Sequence, residues 1–180
     1  MKIVKSISVY CASSTLVGDA YIEAATQLGR LMAQHGLRLI YGGGYSGLMG
    51  AVAHGVLSEG GQAVGVIPHF MVENGWHHQG LNELIEVESM AARKKLMEQM
   101  SDGCIALPGS VGTFDELMEV MSLKKLGIYL KPVVVLNTQQ FYAPLQALLQ
   151  KTIDEHFMHP GYADLWKFVD TPVQAIDELL

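Results

Sequence analysis

The sequence predicts an α/β fold in which a mostly parallel sheet is covered by helices, and three observations carry that prediction. Short apolar, β-branched runs alternate with longer segments of helical period along the chain, the arrangement of strands joined by crossover helices. Hydrophobic residues make up 49% and charged residues 17%, enough apolar surface to bury a sheet on both faces. At 180 residues the chain has the length of one ordinary domain, so residues 1–180 are read as a single unit.

The strands are placed at Ile3 to Cys11, Leu37 to Tyr41, Ala63 to Ile67, Leu84 to Val87, Cys104 to Leu107 and Val133 to Leu136, most of them reading as buried on both faces. Between them, Ile22, Ala25, Leu28 and Met32 form the apolar stripe of one helix, and Phe114, Leu117, Met118 and Met121 that of another. Further helices are expected from Leu48 to Ser58 and from Met90 to Met100. Thr171 followed by Pro172 supplies an N-cap and an N1 proline, so Pro172 to Leu180 should close the chain as a short helix. The longest irregular stretch, Pro68 to Asn82, has the length of a lid or pocket wall. Open α/β sheets bind ligands at the carboxyl ends of their strands, which directs attention to the loops there.

The formal charge of −6 argues against a duplex nucleic-acid binder, which needs a basic face to neutralise phosphates. A small anion needs only one or two cations. The first residues are interrupted by Lys5, Ser6 and Ser8, unlike a signal peptide, and no later run approaches a membrane span, so a cytoplasmic protein is expected. The two cysteines, Cys11 and Cys104, end apolar segments without CxxC spacing and read as small strand residues. The seven histidines show no metal-ligand spacing, so no metal is expected.

Two glycine-rich loops follow strands and open helices. In the first, Gly42-Gly43-Gly44-Tyr45-Ser46-Gly47, glycine admits a bound group close to the backbone and the helix start offers free N–H donors to an anion. It also matches GxGxxG, but a dinucleotide site wants an acid at the end of the next strand, where this chain has Pro68 and His69. A tight turn with close helix packing would use the same glycines. The second loop, Pro108-Gly109-Ser110-Val111-Gly112-Thr113, adds a hydroxyl to the same physics.

Glu116 falls in the first turn of the helix after the second loop, about 200° from the Phe114 stripe at 100° per residue, and so is expected to point away from the core. It is either a favourable charge at a helix start or a carboxylate facing whatever the loop holds. Arg93 and Lys94 lie near another helix N-terminus, where cations oppose the dipole; a phosphate or ribose would favour them, and so would a surface pair with Glu86, Glu88 or Glu98.

The motifs YGGGYSGLMGAVA at 41–53, SMAARK at 89–94 and LPGSVGTFDELMEV at 107–120, with GVIP at 65–68, LGIY at 126–129 and KPVVVLN at 131–137 in order, resemble the Lonely Guy (LOG) family. The family's members are cytokinin riboside 5'-monophosphate phosphoribohydrolases, formerly labelled lysine decarboxylases. The resemblance runs from Ile7 to about Asp170 and implies a Rossmann-like three-layer αβα fold assembling as dimers or larger oligomers. It also implies cleavage of the N-glycosidic bond of an adenosine monophosphate, often N6-substituted, without a cofactor. It assigns Arg93 and Glu116 as the catalytic pair. Lys94, Gly109, Ser110, Val111, Gly112, Thr113, Ser122, Gly43, Gly44, Ser13 and Glu73 become candidate substrate contacts.

Three features depart from the family pattern. Ser110 replaces a glycine, which in a left-handed backbone would cost roughly 1–2 kcal/mol. Cys11-Ala12-Ser13 stands where Cys-Gly-Ser is usual, and Ala91-Ala92 where His-Glu is usual. The acid after the IP motif has only an approximate counterpart, Glu73, with Gly75 an alternative register. The rival reading is a non-catalytic nucleotide or molybdenum-cofactor carrier of the same fold, against which Arg93 and Glu116 weigh.

Overall fold

The computed structural model describes residues 4–180, so the Ile3 end of the first predicted strand lies outside the described residues. The chain runs β1 (Ser6–Tyr10), α1 (Asp19–Gln34), β2 (Arg38–Tyr41), α2 (Gly47–Ser58), β3 (Ala63–Pro68), α3 (His69–Glu73) and β4 (Glu83–Val87). It continues through α4 (Met90–Met100), β5 (Gly103–Ala106), α5 (Val111–Lys125), β6 (Val133–Leu136), α6 (Ala143–Asp154), β7 (Lys167–Val169) and α7 (Pro172–Asp177). The sheet has seven strands in the order β4-β3-β2-β1-β5-β6-β7, and every neighbouring pair is parallel.

That order carries the functional geometry. From β1 the chain steps outward to β4, then α4 carries it back so that β5 pairs with the free side of β1. Right-handed crossovers in opposite directions place their helices on opposite faces. One buried cluster accordingly joins the sheet to α1, α2 and α7, and the other joins it to α4 and α5. The loops after β1 and β5 therefore part company at a topological switch point, where a crevice opens.

The helix stripes are laid down as the periodicity requires. Ala25, Leu28 and Met32 of α1 are fully buried. Close approach of α1 and α2 depends on two glycines, since a Cβ on Gly29 would overlap the Val52 carbonyl and one on Gly55 the Thr26 carbonyl. At the C-terminus Thr171 and Gln174 form a reciprocal capping box on α7, which stops at Asp177, short of the expected Leu180.

Several expectations are corrected. Strand β4 is an edge strand with Glu83 and Glu86 exposed, because only β3 pairs with it. Strand β7 was not visible in the sequence: three half-exposed residues make too short a run to stand out from the loop. The stretch Pro68 to Asn82 is not wholly irregular, since it begins with α3. The buried face of α5 is Thr113, Glu116, Leu117, Val120 and Met121, while Phe114 and Met118 sit at its margin. Glu116 therefore points inward, and because α5 starts at Val111 it stands in the second turn.

Two stability effects are expected. Gly55→Ala should lose about 1–3 kcal/mol through overpacking of α1 on α2, read as a lower urea midpoint with unchanged slope. His156, left-handed at φ 65 just past the end of α6, should gain up to about 1 kcal/mol on replacement by glycine.

Candidate active site

The loops at the carboxyl ends of β1, β2 and β5 are stitched together by backbone bonds. Ala12 N donates to Pro108 O (3.2 Å) and Met49 N to Ala12 O (3.2 Å), so the turn after β1 lies between the two glycine loops. Ser46 Oγ reaches Ser13 O at 2.9 Å. Gly47, at φ +58, lets the first loop press on this turn, because a Cβ there would strike the Ser13 backbone. The residues before the loops end β-strands, so their direction is fixed by the sheet.

The two loops are not equivalent. In the first, the Met49 amide is occupied by Ala12 O and the Gly43 carbonyl accepts from His78 N at 2.8 Å. Gly43, at φ +74, packs on Ile67 and Leu84, while Gly44 faces the crevice. In the second, no group among the described residues accepts from the amides of Val111, Gly112 and Thr113, the first three of α5. Three free donors at the start of a 15-residue helix make a seat for an anion. Nothing lies within contact of a Cβ placed on Gly112, so the approach is open. Ser110 is the N-cap in extended backbone, φ −107, so the left-handed strain considered from the sequence does not arise. Gly109 is the demanding position, because a Cβ there would overlap the buried Thr113 side chain.

Arg93 and Glu116 meet between α4 and α5. Ser89 caps α4, accepting from Ala92 N at 3.1 Å, which sets the first turn that carries Arg93. Arg93 Nη2 donates to Glu116 Oε1 at 3.0 Å, with the two side chains only 6% and 4% exposed. The surface pairing of Arg93 considered from the sequence is thereby overturned. Nη1 points to Met90 Sδ at 3.8 Å, while Nε is buried without a hydrogen-bond partner among the described residues. The guanidinium lies against Gly42, where a Cβ would overlap it. Burial pushes the Glu116 carboxyl up to about 7 against the opposing pull of Arg93, with Asp115 adding to the rise and Lys94 offsetting it. A carboxyl poised near neutrality, held by an arginine with unused donors, suits general-base and charge-stabilising work.

Lys94 has a different place. Its Nζ lies 2.9 Å from Asp115 Oδ2 and 2.6 Å from Glu119 Oε2, tying α4 to α5 beside the buried pair.

Two cavities adjoin at Ser13. One, of about 420 Å³, is lined by Ser13, Gly42, Gly44, Tyr45, Ser46, Met49, Ile67, Met71, Trp76 and Arg93. The other, of about 350 Å³, is lined by residues that include Ser13, Tyr21, Pro108, Gly109, Ser110 and Phe141. Together they have the size of a small-molecule site. Of the residues singled out from the sequence, Ser13, Gly44, Arg93, Gly109 and Ser110 line these cavities, Val111, Gly112 and Thr113 stand at the adjoining helix start, and Glu116 stands one turn further along that helix. Glu73 lies outside, exposed on α3 and paired with His69 at 3.4 Å. Ser122 lies outside as well, exposed on α5. Tyr45, Met71 and Trp76 were missed; a tryptophan inside the predicted lid stretch was the available signal.

Fold and site together define a doubly wound α/β protein with a buried arginine–carboxylate pair and free helix-start amides at its switch point. A family model described as "Possible lysine decarboxylase" matches residues 49–179. The chain belongs to that family, the LOG family whose motifs it carries. It is 42% identical over 158 residues to a cytokinin riboside 5'-monophosphate phosphoribohydrolase of Rhodococcoides fascians, covering 87% of this chain and 80% of that one. A protein of the same name from Arabidopsis thaliana is 39% identical over 176 residues, 96% and 76% of the two chains. Among solved structures, the molybdenum cofactor carrier protein of Chlamydomonas reinhardtii superposes with a TM-score of 0.74 over 97% of this chain and 95% of that one, at 22% identity. At that identity the likeness is one of fold.

The buried pair makes a stability prediction. Glu116 binds its proton more tightly folded than unfolded, so its ionisation lowers stability as pH rises from the usual carboxyl range to about 7. Arg93→Met removes the offsetting cation and raises the folded pKa further. Its stability should therefore keep falling between pH 7 and 9, by at least about 1 kcal/mol in urea titrations, and adding Glu116→Gln should abolish that slope.

Proposed function

We propose that this protein hydrolyses the N-glycosidic bond of adenosine 5'-monophosphates, N6-substituted ones included, to give the free base and ribose 5-phosphate. The observation that carries the reading is the buried Arg93–Glu116 pair beside the free amides of α5. The sequence relatives, whose printed names are phosphoribohydrolases of cytokinin riboside 5'-monophosphates, support the same chemistry.

The phosphate would accept hydrogen bonds from the amides of Val111, Gly112 and Thr113 and the favourable end of the helix dipole. Arg93, which lines the larger cavity, would hold the ribose hydroxyls and fix C1' near Glu116. As the C1'–N9 bond lengthens, its electron pair leaves with the base and positive charge gathers on the ribose ring. The ionised Glu116 carboxylate stabilises that charge and takes a proton from the water that bonds to C1'. The departing base takes a proton from solvent at a ring nitrogen and Glu116 returns to solvent the proton it took from water, so the products are neutral base and ribose 5-phosphate. A lysine decarboxylase using pyridoxal phosphate is a poor fit, because Lys94, the lysine beside the site, is committed to Asp115 and Glu119.

A homodimer is part of the proposal. Val111, Phe114, Met118 and Leu126 form an exposed apolar stripe along α5, with Ile128 and Leu130 beyond it. Ser122 lies on the same helical face, so it would reach substrate only across such an interface. Met118→Glu should shift sedimentation from dimer to monomer; a native chain that sediments as a monomer refutes this part.

Chromatography of reactions with AMP and isopentenyl-AMP should show free base, and Glu116→Gln should slow its release by roughly 10²-fold or more. Nucleotide that is bound yet recovered intact would point to a carrier instead. Because Glu116 must be ionised, kcat/KM should climb about tenfold per pH unit below pH 7 and level off above it.

A further inference from the structure

The larger cavity carries two large rings that the proposed chemistry leaves unused. Tyr45, from the first loop, is 57% exposed and Trp76, from the segment after α3, is 52% exposed. Both line the same cavity, and among the described residues neither ring contacts another aromatic. Apolar ring faces left open at the mouth of a cavity mark a surface shaped for a guest.

The placement of Trp76 is built into the fold. Gly75, at φ +71, turns the chain just before it, and Gly44 bridges His77 just after it. His78 N then bonds Gly43 O at 2.8 Å, fastening the segment to the first loop. His69, bonded to Glu86 at 2.5 Å, fixes the other end of the segment to β4. Arg93, Met49, Ile67 and Met71 line the same cavity, and the Met49 methyl and the Arg93 guanidinium both lie against Gly42. A matching guest has a planar part to lie on these rings and a polar part within reach of Arg93.

We propose that Trp76, with Tyr45, is the base-recognition element of this site. The purine stacks on the Trp76 ring, with the Tyr45 ring beside it in the same cavity. This rests on the hydrolase reading for the identity of the guest, since the base must leave from a ribose held at Arg93. Phosphate in the α5 seat and base against Trp76 place the ribose between the two cavities, beside Ser13.

The chain has two tryptophans, so Trp166→Phe leaves Trp76 as the sole reporter of fluorescence. In that background, with Glu116→Gln to keep nucleotide intact, AMP and isopentenyl-AMP should change Trp76 emission saturably, and ribose 5-phosphate should not. In the otherwise native protein, Trp76→Ala should raise KM for isopentenyl-AMP about tenfold or more with a smaller change in kcat, and Trp76→Phe should recover most of the loss. Nucleotide bound in equilibrium dialysis with silent Trp76 emission, an equal response to ribose 5-phosphate, or an unchanged KM in Trp76→Ala overturns the proposal. Base release with silent emission defeats this proposal alone. A saturable emission change without base release defeats the hydrolase reading and leaves Trp76 as the platform of a binding site.

Discussion

The interaction on which the rest depends is the ion pair between Arg93 and Glu116, buried to within a few per cent of full exclusion from solvent. Removing Glu116 would leave an uncompensated guanidinium in a poorly solvated place, and removing Arg93 would make the buried carboxyl hold its proton. Its neighbours follow from that constraint. Gly42 has no side chain because the guanidinium occupies its space. Lys94 clamps α4 to α5 through Asp115 and Glu119, which holds the two helices at the distance the pair needs. The same burial that makes the pair demanding raises the Glu116 carboxyl to about 7, so the structural constraint and the chemistry share one cause.

The glycine loops divide their labour. By sequence both are glycine-rich turns into helices, but backbone bonding separates them. The first gives an amide to Ala12 and a carbonyl to His78, and so becomes a wall that joins the β1 turn to the segment carrying Trp76. The second leaves the amides at the start of α5 free, as an anion seat requires. The proposed reading puts a phosphate at the second and a base at the first, which would bring the scissile bond near the pair, at the switch point where α1 and α5 leave opposite faces of the sheet.

Much of this was legible in the residues. Six of the seven strands and the principal helices follow from alternation of apolar period, and β7 escaped because three residues on an edge carry too little pattern. The motifs located Arg93, Glu116 and the second loop, yet the orientation of Glu116 was misread. Taking Phe114 and Met118 as centre of the stripe rotated α5 by about a quarter turn, because apolar residues bound for an exposed face look like core in a linear sequence. The concern over Ser110 likewise dissolved once its backbone proved extended.

The sequence by itself determined the order of the elements, the family and the residue types available for chemistry, because periodicity and motif spacing are local properties of the chain. Only the tertiary structure decided that Arg93 and Glu116, 23 residues apart, meet as a buried pair, and that Trp76 and Tyr45 line one cavity while Glu73 and Ser122 do not. Those outcomes hang on where crossover helices return to the sheet and which amides are already bonded. Both are fixed by packing across the fold, and no local stretch of sequence contains them.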